Sequence, residues 1–434
     1  MIDVFDLVIV GAGPAGLEAA RSASRAGRGV AVIDDNPRPG GQIWRHDPTE
    51  NPPRPLQRLL NDLESRERIR FFTGHRLVAF ESGPTLVLES ATGRRRLRGE
   101  SLLLATGARE LFLPFPGWML PGIHGAGGLQ ALVKGGWPVA GRRVVLAGSG
   151  PLLLASAATL LRHGARIEAI IEQAPTADLL RFLALLPRWP RQTTTALALL
   201  RRLFRVPYWR GSWVTEARGR DGLQEIVITD GRRERVLGCE LLGTGYGLVP
   251  NIEAANLLGC ELTPSRHPAV RVGSRGETSR PGLYAAGEIT GIGGAGRARL
   301  QGALAGATAV GDHRQSDRLL GRSREAEAYA RHFARHFHLG EPVRRLARPE
   351  TVICRCEEVP LDRIPEIPQA DSRGLRLLTR IGMGPCQGRI CLHALAETRP
   401  EPFLRDWLAR PRPPLFPARL ETLAGPEVAH GPET

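Results

Sequence analysis

Apolar residues in this chain come in two rhythms that alternate. Leu7 to Val10 is a short unbroken run, GAGPAG follows, and an Ala-rich stretch at helical spacing reaches Ala26 before a second run, Val30 to Ile33, ends at Asp34. Unbroken runs on either side of a helical period mark a βαβ unit of a buried parallel sheet. A Pro-rich connection, Pro48 to Pro55, leads to an amphipathic helix near Leu56 to Glu64. Strands are expected at Ile69–Phe72, Arg76–Glu81, Leu86–Glu89 and Arg95–Leu104, separated by Gly-containing turns.

A second βαβ unit opens at Arg143 with VVLAGSG, passes through a helix to Arg162 and reaches a strand at Ile167–Ile171, before Glu172. Val144 to Leu161 is eighteen residues without a charge, but the GSGP at Gly148 to Pro151 predicts a strand turning into a helix, not a membrane span. From Thr176 to Trp213, Leu and Phe keep helical spacing among Pro187, Pro190 and Pro207, which predicts a helical insertion over 176–213. Strands resume at Leu223–Thr229, Asp230-Gly231 signals a hairpin, and a strand at Cys239–Leu242 leads into GTGYGLVPN. A helix is expected around Arg324 to His338, then a Cys-rich block and a tail with Pro411, Pro413, Pro414 and Pro417. The two βαβ openings are the sole internal echo.

Composition excludes some classes. The 434 residues, 42% apolar and 24% charged, hold material for more than one core, which rules out a disordered chain or a disulfide-stapled miniprotein. The net charge of +15 comes almost wholly from Arg, with Lys134 the only Lys, and no Arg-aromatic pattern sits beside a nucleic-acid module. A solvated basic surface is therefore expected, with no nucleic acid as partner; an acidic protein partner is the alternative use. Asp3 and Asp6 stand where a secretory signal needs basic residues, so a cytoplasmic protein without a transmembrane segment is expected. The Trp- and Arg-rich stretch around Trp189, Trp209 and Trp213 suits a subunit contact in preference to a peripheral contact with the inner membrane face.

Three constellations carry chemistry. Gly11, Gly13 and Gly16 form GxGxxG between strand and helix, with Asp34 in the place from which a carboxylate reaches ribose hydroxyls, which points to a dinucleotide. The second unit repeats only Gly148 and Gly150. Leu153 replaces the third glycine, where its bulk should push the helix off the strand, and Ala155 stands where an acidic residue is common. Glu172 would favour NAD over NADP, but a retained and empty nucleotide scaffold is expected. Third, Cys354-Arg355-Cys356 and Cys386 to Cys391 make a CxC and a Cx4C separated by 29 residues, suited to one zinc or to the two irons of a [2Fe-2S] cluster. Cys239 and Cys260 are not in a CxxC and are expected to be core residues, which argues against a disulfide reductase. His332 and His336, four apart on a helix, are expected to be a solvated or partner-facing pair. No acid-base pair for substrate chemistry stands out, and the catalytic residues are unknown.

Further motifs resemble a known family. PGLYAAGEITGIGG places Gly287 and Glu288 where the glutathione-reductase-like flavoproteins, with two dinucleotide domains, have the motif whose acidic residue binds the flavin ribityl chain. Ala105, Thr106 and Gly107 of LLLATG, and Gly41 and Gln42 of GGQ, match that family's other flavin-side motifs. GMGPCQGRIC resembles the small helical [2Fe-2S] domain of the bacterioferritin-associated ferredoxin type, which implies a cluster on Cys354, Cys356, Cys386 and Cys391 and a helix from about Gln387. With PRPGGQIWR and PFPGWMLPGIHGAGGLQ, nearly the whole chain resembles the FAD and iron-sulfur subunits of opine oxidase (its A subunit), hydrogen cyanide synthase and dye-linked proline or hydroxyproline dehydrogenases.

The resemblance implies an α/β fold of two Rossmann-like dinucleotide-binding domains, the second inserted in the first, plus a small helical C-terminal [2Fe-2S] domain. The expected boundaries are 1–115 with 246–315 for FAD, 116–245 for the degenerate NAD(P)-binding-like domain, 316–400 for the cluster, and 401–434 for the Pro-rich tail. It implies an electron-transfer subunit in a heteromer, in which a second FAD-dependent subunit oxidises the C–N bond of an amino acid or opine-like amine. That second subunit is expected to dock on the Trp-rich stretch and the tail. The alternatives are a self-sufficient NAD(P)H-dependent reductase passing electrons through the cluster, and a non-catalytic scaffold with a structural flavin.

Overall fold

The computed structural model describes residues 2–47, 49–81, 84–364, 372–399 and 412–424. Of the regions anticipated above, Pro48, 365–371 of the Cys-rich stretch and 401–411 and 425–434 of the tail lie outside the described residues.

The first unit runs strand Asp3–Val10 (β1), helix Pro14–Arg25 (α1), strand Val30–Asp34 (β2), helix Arg54–Glu64 (α2), and strands Ile69–Thr73 (β3), Arg76–Glu81 (β4), Thr85–Ser90 (β5) and Gly93–Leu104 (β6). They form one sheet in the order β3-β2-β1-β6-β5-β4, and a late strand, Leu283–Ala285, returns to pair in parallel with β6. Side chains alternate across a strand, and both faces of its second half are covered, which explains why Leu7 to Val10 of β1 is apolar without interruption. Leu7 and Ile9 enter a core with Leu17 and Ala20 of α1, while Val8 and Val10 enter the core of the opposite face with Ile252 and Ala255.

The chain leaves this unit along Ala108–Glu110 (β7) and returns along Leu248–Pro250, the two pairing antiparallel. Between them lie strand Ile123–Gly125 (β8), helix Ala126–Lys134 (α3), strand Arg143–Gly148 (β9), helix Pro151–Arg162 (α4), strand Arg166–Glu172 (β10), helices Thr176–Leu185 (α5) and Pro190–Arg202 (α6), and strand Tyr208–Arg210 (β11). With Leu241–Gly245 they build a parallel sheet, and Trp213–Arg218, Glu225–Thr229 and Glu234–Gly238 form an antiparallel meander beside it.

Three expectations change here. The stretch 176–213 is not helical throughout: α5 and α6 are the crossover from β10 to β11, which pairs Tyr208 with Ile170, and Trp213 opens the meander. Cys239 lies between strands, because the hairpin's second strand ends at Gly238 and the next begins at Leu241. Leu153 is fully buried and is accommodated because Gly245 faces it; a Cβ at Gly245 would stand 3.2 Å from Leu153 Cδ2.

Helix Gly294–Ala309 (α8, after the short helix Glu253–Leu257, α7) crosses α1 at backbone contact, since a Cβ at Gly302 would lie 2.0 Å from the Ala15 carbonyl oxygen. Helix His313–His336 (α9) begins well before the expected Arg324. Asp312 caps it by accepting the Gln315 N–H, an Asp-x-x-Gln start that the apolar spacing does not show. The Cys-rich unit has a core of its own around Ile353, Leu375, Ile381 and Leu395. The described part of the tail does not stand free: Leu415 is buried in the first unit's core, its N–H donating to the Val78 carbonyl.

Candidate functional site

At the first glycine turn, the residues named from sequence converge on the start of α1. Gly11 has φ +111°, and a Cβ there would be 2.3 Å from the Ala105 carbonyl oxygen; one at Gly16 would be 1.8 Å from the Gly11 carbonyl oxygen. These two contacts hold the LLLATG segment and α1 against the turn. Gly41 lies against Gly13, and a Cβ at Gly287 would meet Ala15 at 2.9 Å, so both loops abut the same helix end. Around Gly13 itself the nearest atom to an added Cβ is the Gly41 Cα, 3.9 Å away, and no side chain of the cap residue takes up the helix amides. Asp34 ends β2 buried, Oδ2 accepting the Ala12 N–H at 2.6 Å and Oδ1 the Asn36 N–H at 2.8 Å. Gln42 is exposed in its turn. Glu288 accepts the Gly294 N–H at 2.9 Å at the start of α8, and burial pushes its pKa up. An open helix N-terminus, a carboxylate at the β2 end and converging Gly-rich loops fit the phosphates and ribose of a flavin dinucleotide.

The second glycine turn is covered. At Gly150, φ +91°, an added Cβ would meet Phe333 Cζ at 3.1 Å and Phe337 Cδ1 at 3.5 Å, so the end of α9 sits over the turn where a pyrophosphate would approach. Polar ties secure this cover. Ser149 Oγ donates to the Phe337 carbonyl at 3.3 Å, and Gln173 Nε2 donates to the His338 carbonyl at 2.8 Å. Glu172 is fully buried, accepting the N–H groups of Gly150 at 2.7 Å and Ala174 at 2.9 Å, and burial pushes its pKa up to about 7. His332 and His336 belong to the same packing and are not solvated as expected. His332 stacks between Phe182 and Trp189, and His336 is buried.

The four clustered cysteines are brought together, with Cys354 and Cys391 buried, Cys386 partly so and Cys356 exposed. Their thiols meet in a chain, Cys354 to Cys391, Cys391 to Cys386, and Cys386 to Cys356. The contact with Cys391 comes first in holding the Cys354 and Cys386 thiols low, and the amides of Gly382 and Glu357, and of Ile390 and Gly388, add to it. Among the described residues no group of three or more His, Cys, Asp or Glu is arranged to hold a metal ion. The backbone around the thiols is strained: Glu358, Arg380 and Gln387 have φ of +50°, +64° and +53°. Gln387 therefore cannot begin a helix, and the helix expected there starts at Cys391. Gly384 has no room for a side chain, because a Cβ would stand 2.2 Å from that of Cys356. Four thiols within a shell of inward-facing amides fit an anionic metal-sulfur centre.

A polar chain that sequence reasoning missed joins the two places. Thr106 and Asn251 exchange side-chain to backbone hydrogen bonds at 2.7 and 2.8 Å. Arg109 donates to Asn251 Oδ1 at 2.6 Å, to the Arg389 carbonyl at 3.1 Å and to His393 Nε2 at 3.1 Å, and it pairs with Glu253 at 2.7 Å. Arg is a donor only, so His393 Nε2 accepts and its Nδ1 carries the proton. That N–H points at His267 Nδ1, 2.9 Å away, and His267 Nε2 then donates to Glu397 at 2.7 Å. Burial holds His393 well below its ordinary pKa. The only signal was proximity in sequence: Arg109 follows Gly107 by two, and His393 follows Cys391 by two. Cys239 and Cys260 are buried in cores, as expected, and burial pushes both thiols up.

The model of the pyridine nucleotide-disulphide oxidoreductase family matches residues 5–307, which include both glycine turns. The chain belongs to this family. Members of the family pair FAD with a nicotinamide nucleotide, and this oxidoreductase is FAD-dependent. The match stops short of α9 and the thiols, yet full-length relatives exist. The A subunit of opine oxidase from Agrobacterium tumefaciens (strain Ach5) is 31% identical over 100% of this chain and 93% of its own. That of Rhizobium meliloti (strain 1021) is 33% identical over 98% and 99%. Hydrogen cyanide synthase subunit HcnB of Pseudomonas aeruginosa is 31% identical over 94% and 96%. Among solved structures, L-proline dehydrogenase from P. horikoshii shares the fold at TM-score 0.72 and 20% identity, covering 98% of this chain and 81% of its own. This oxidoreductase therefore carries the family's two α/β units with a C-terminal extension that its full-length relatives span.

Proposed function

We propose that this chain is the FAD- and [2Fe-2S]-containing electron-transfer subunit of a heteromeric dehydrogenase or oxidase acting on C–N bonds of amino acids or opine-like secondary amines, located in the cytoplasm. The observation that carries this reading is the contrast between the two glycine turns. The first is open, whereas the second lies beneath Phe333 and Phe337. A self-sufficient NAD(P)H reductase needs the second turn free, so its electrons would have no way in.

Bound at these places, a flavin takes up an electron pair and gives electrons up singly, and a [2Fe-2S] centre carries them one at a time. The α1 amides at Gly13 and the Asp34 carboxylate would bind the adenosine diphosphate end of FAD, and Glu288 would take the ribityl hydroxyls. Gly41, Gln42, Ala105, Thr106, Gly107 and Gly287 would shape the walls of that site. Cys354, Cys356, Cys386 and Cys391, whose thiols meet one another, would hold the cluster. Arg109 and Asn251 fix the flavin-side turn against the cysteine unit. The opine oxidase and hydrogen cyanide synthase relatives are by name subunits, which supports a second flavoprotein as the site of amine oxidation.

Tagged protein purified from its native host tests this. An FAD-dependent subunit should copurify in stoichiometric amount, and the complex, but not the isolated chain, should reduce an artificial dye with a secondary amine. Amine oxidation by the isolated chain would overturn the division of labour; a flavin unaltered by every donor, in the complex as well, would leave a scaffold.

A further inference from the structure

The crossover between β10 and β11 carries a feature that electron transfer leaves unused. Thr176 to Arg210 holds seven Arg against a single acid, Asp178. The inner side of α5 is taken up by Phe182, buried against Phe337 and His332 of α9 and the residue after it. The outer side leaves Leu180 and Leu183 exposed, Leu180 at 60%. Every residue of α6 is at least partly exposed. Leu197 and Leu200, at i and i+3 of α6, share a face, and Phe204 extends this apolar ridge in the turn after the helix; the three are 61%, 46% and 74% exposed. Cations flank that ridge: Arg201 follows Leu200, and the Arg205 guanidinium lies 5.1 Å from the Phe204 ring centroid.

An apolar ridge interleaved with guanidinium groups discriminates between occupants. A protein partner would have to supply a carboxylate for each of these cations as it buried them, or leave desolvated charge unpaired. An anionic bilayer leaves the guanidiniums among headgroup phosphates while Leu and Phe enter the acyl boundary. We propose that α6, with the outer face of α5, seats this protein on an anionic lipid bilayer, Leu197, Leu200 and Phe204 forming the inserted ridge. The charge of the stretch thus outweighs the subunit contact that its tryptophans suggest, since Trp189 packs inward on His332 and Tyr329. The contact is peripheral, because no described helix is long and apolar enough to cross a membrane.

Cosedimentation of the purified full-length holoprotein with vesicles tests this. Vesicles of phosphatidylcholine mixed with phosphatidylglycerol should bind the protein, and vesicles of phosphatidylcholine alone should not. Raised salt should weaken binding, and Leu197→Ser/Leu200→Ser/Phe204→Ser or Arg201→Gln/Arg202→Gln/Arg205→Gln should each weaken it by about tenfold or more. These side chains are exposed, so flavin content and thermal unfolding should match the parent protein. Failure to bind the anionic vesicles, equal binding to both compositions, or full binding by both variants would overturn the proposal. So would a ridge variant that loses a copurifying subunit while its vesicle binding is unchanged.

Discussion

Arg109 Nη2 stands 3.1 Å from His393 Nε2. The contact joins a residue just past the LLLATG segment to one just past Cys391, so the first glycine-turn unit and the cysteine unit are tied by side chains. Arg109→Met should leave flavin and iron contents near those of the parent. It removes the bonds to Asn251 and the Arg389 carbonyl and leaves Glu253 only its longer pairing with Arg389, 3.4 Å, which should cost about 1–3 kcal/mol in denaturant unfolding. Electron passage from flavin to cluster, followed by stopped-flow absorbance, should slow. Arg109→Lys should restore the pairing with Glu253 but not the three-way fork. An unchanged unfolding midpoint and an unchanged transfer rate in Arg109→Met would remove the joint from the account.

Asp34→Ala should lower flavin occupancy, because the carboxylate steadies the Ala12 amide and, in the proposed site, would reach the ribose hydroxyls. Gly16→Val should abolish it, since any side chain there meets the Gly11 carbonyl. Flavin released by denaturation and measured by fluorescence checks both. Full occupancy in Gly16→Val would mean that the dinucleotide lies elsewhere.

Anaerobically prepared protein should contain about two irons and two acid-labile sulfides per chain. Cys391→Ala, at the buried junction of two thiol contacts, should lose the iron while keeping the flavin. Metal analysis that returns stoichiometric zinc without iron would replace the cluster with a structural site.

Glu172 gives the protein a distinctive pH response. Its folded pKa of about 7 lies above the ordinary 4.5, so the native state holds the proton more tightly than the unfolded chain. The contribution is fully present below about 4.5 and is lost as pH rises to 7, with a ceiling of about 3 kcal/mol. Glu172→Gln should flatten unfolding free energy against pH in that window relative to the parent. A variant with the parent's slope would assign the titration to another group.

The sequence showed the first glycine turn fully, because Gly11, Gly13, Gly16 and Asp34 lie within one βαβ unit whose geometry local periodicity dictates. It showed the cysteines as a set, since their identity and spacing are chemical. What it hid was long-range. Phe333 and Phe337 have ordinary core spacing, and nothing local says that they cover Gly150; Ser149 and Phe337, which hydrogen-bond there, are 188 residues apart. Leu153 looked like a defect because its compensation, Gly245, lies on a strand reached only after the whole crossover and meander. Tyr208 to Arg210 read as the end of a helical insertion, because a three-residue strand is too short to impose a period of two.

On the proposed function, electrons do not enter this chain from a nicotinamide nucleotide. Anaerobic titration of the purified holoprotein with NADH and then NADPH, following the flavin absorbance, tests it most directly. The flavin should stay oxidised with both and bleach on adding dithionite. Rapid bleaching by either nucleotide, at turnover rates ordinary for an enzyme, would show that the turn beneath Phe333 and Phe337 opens to its cofactor and would make the chain a self-sufficient reductase.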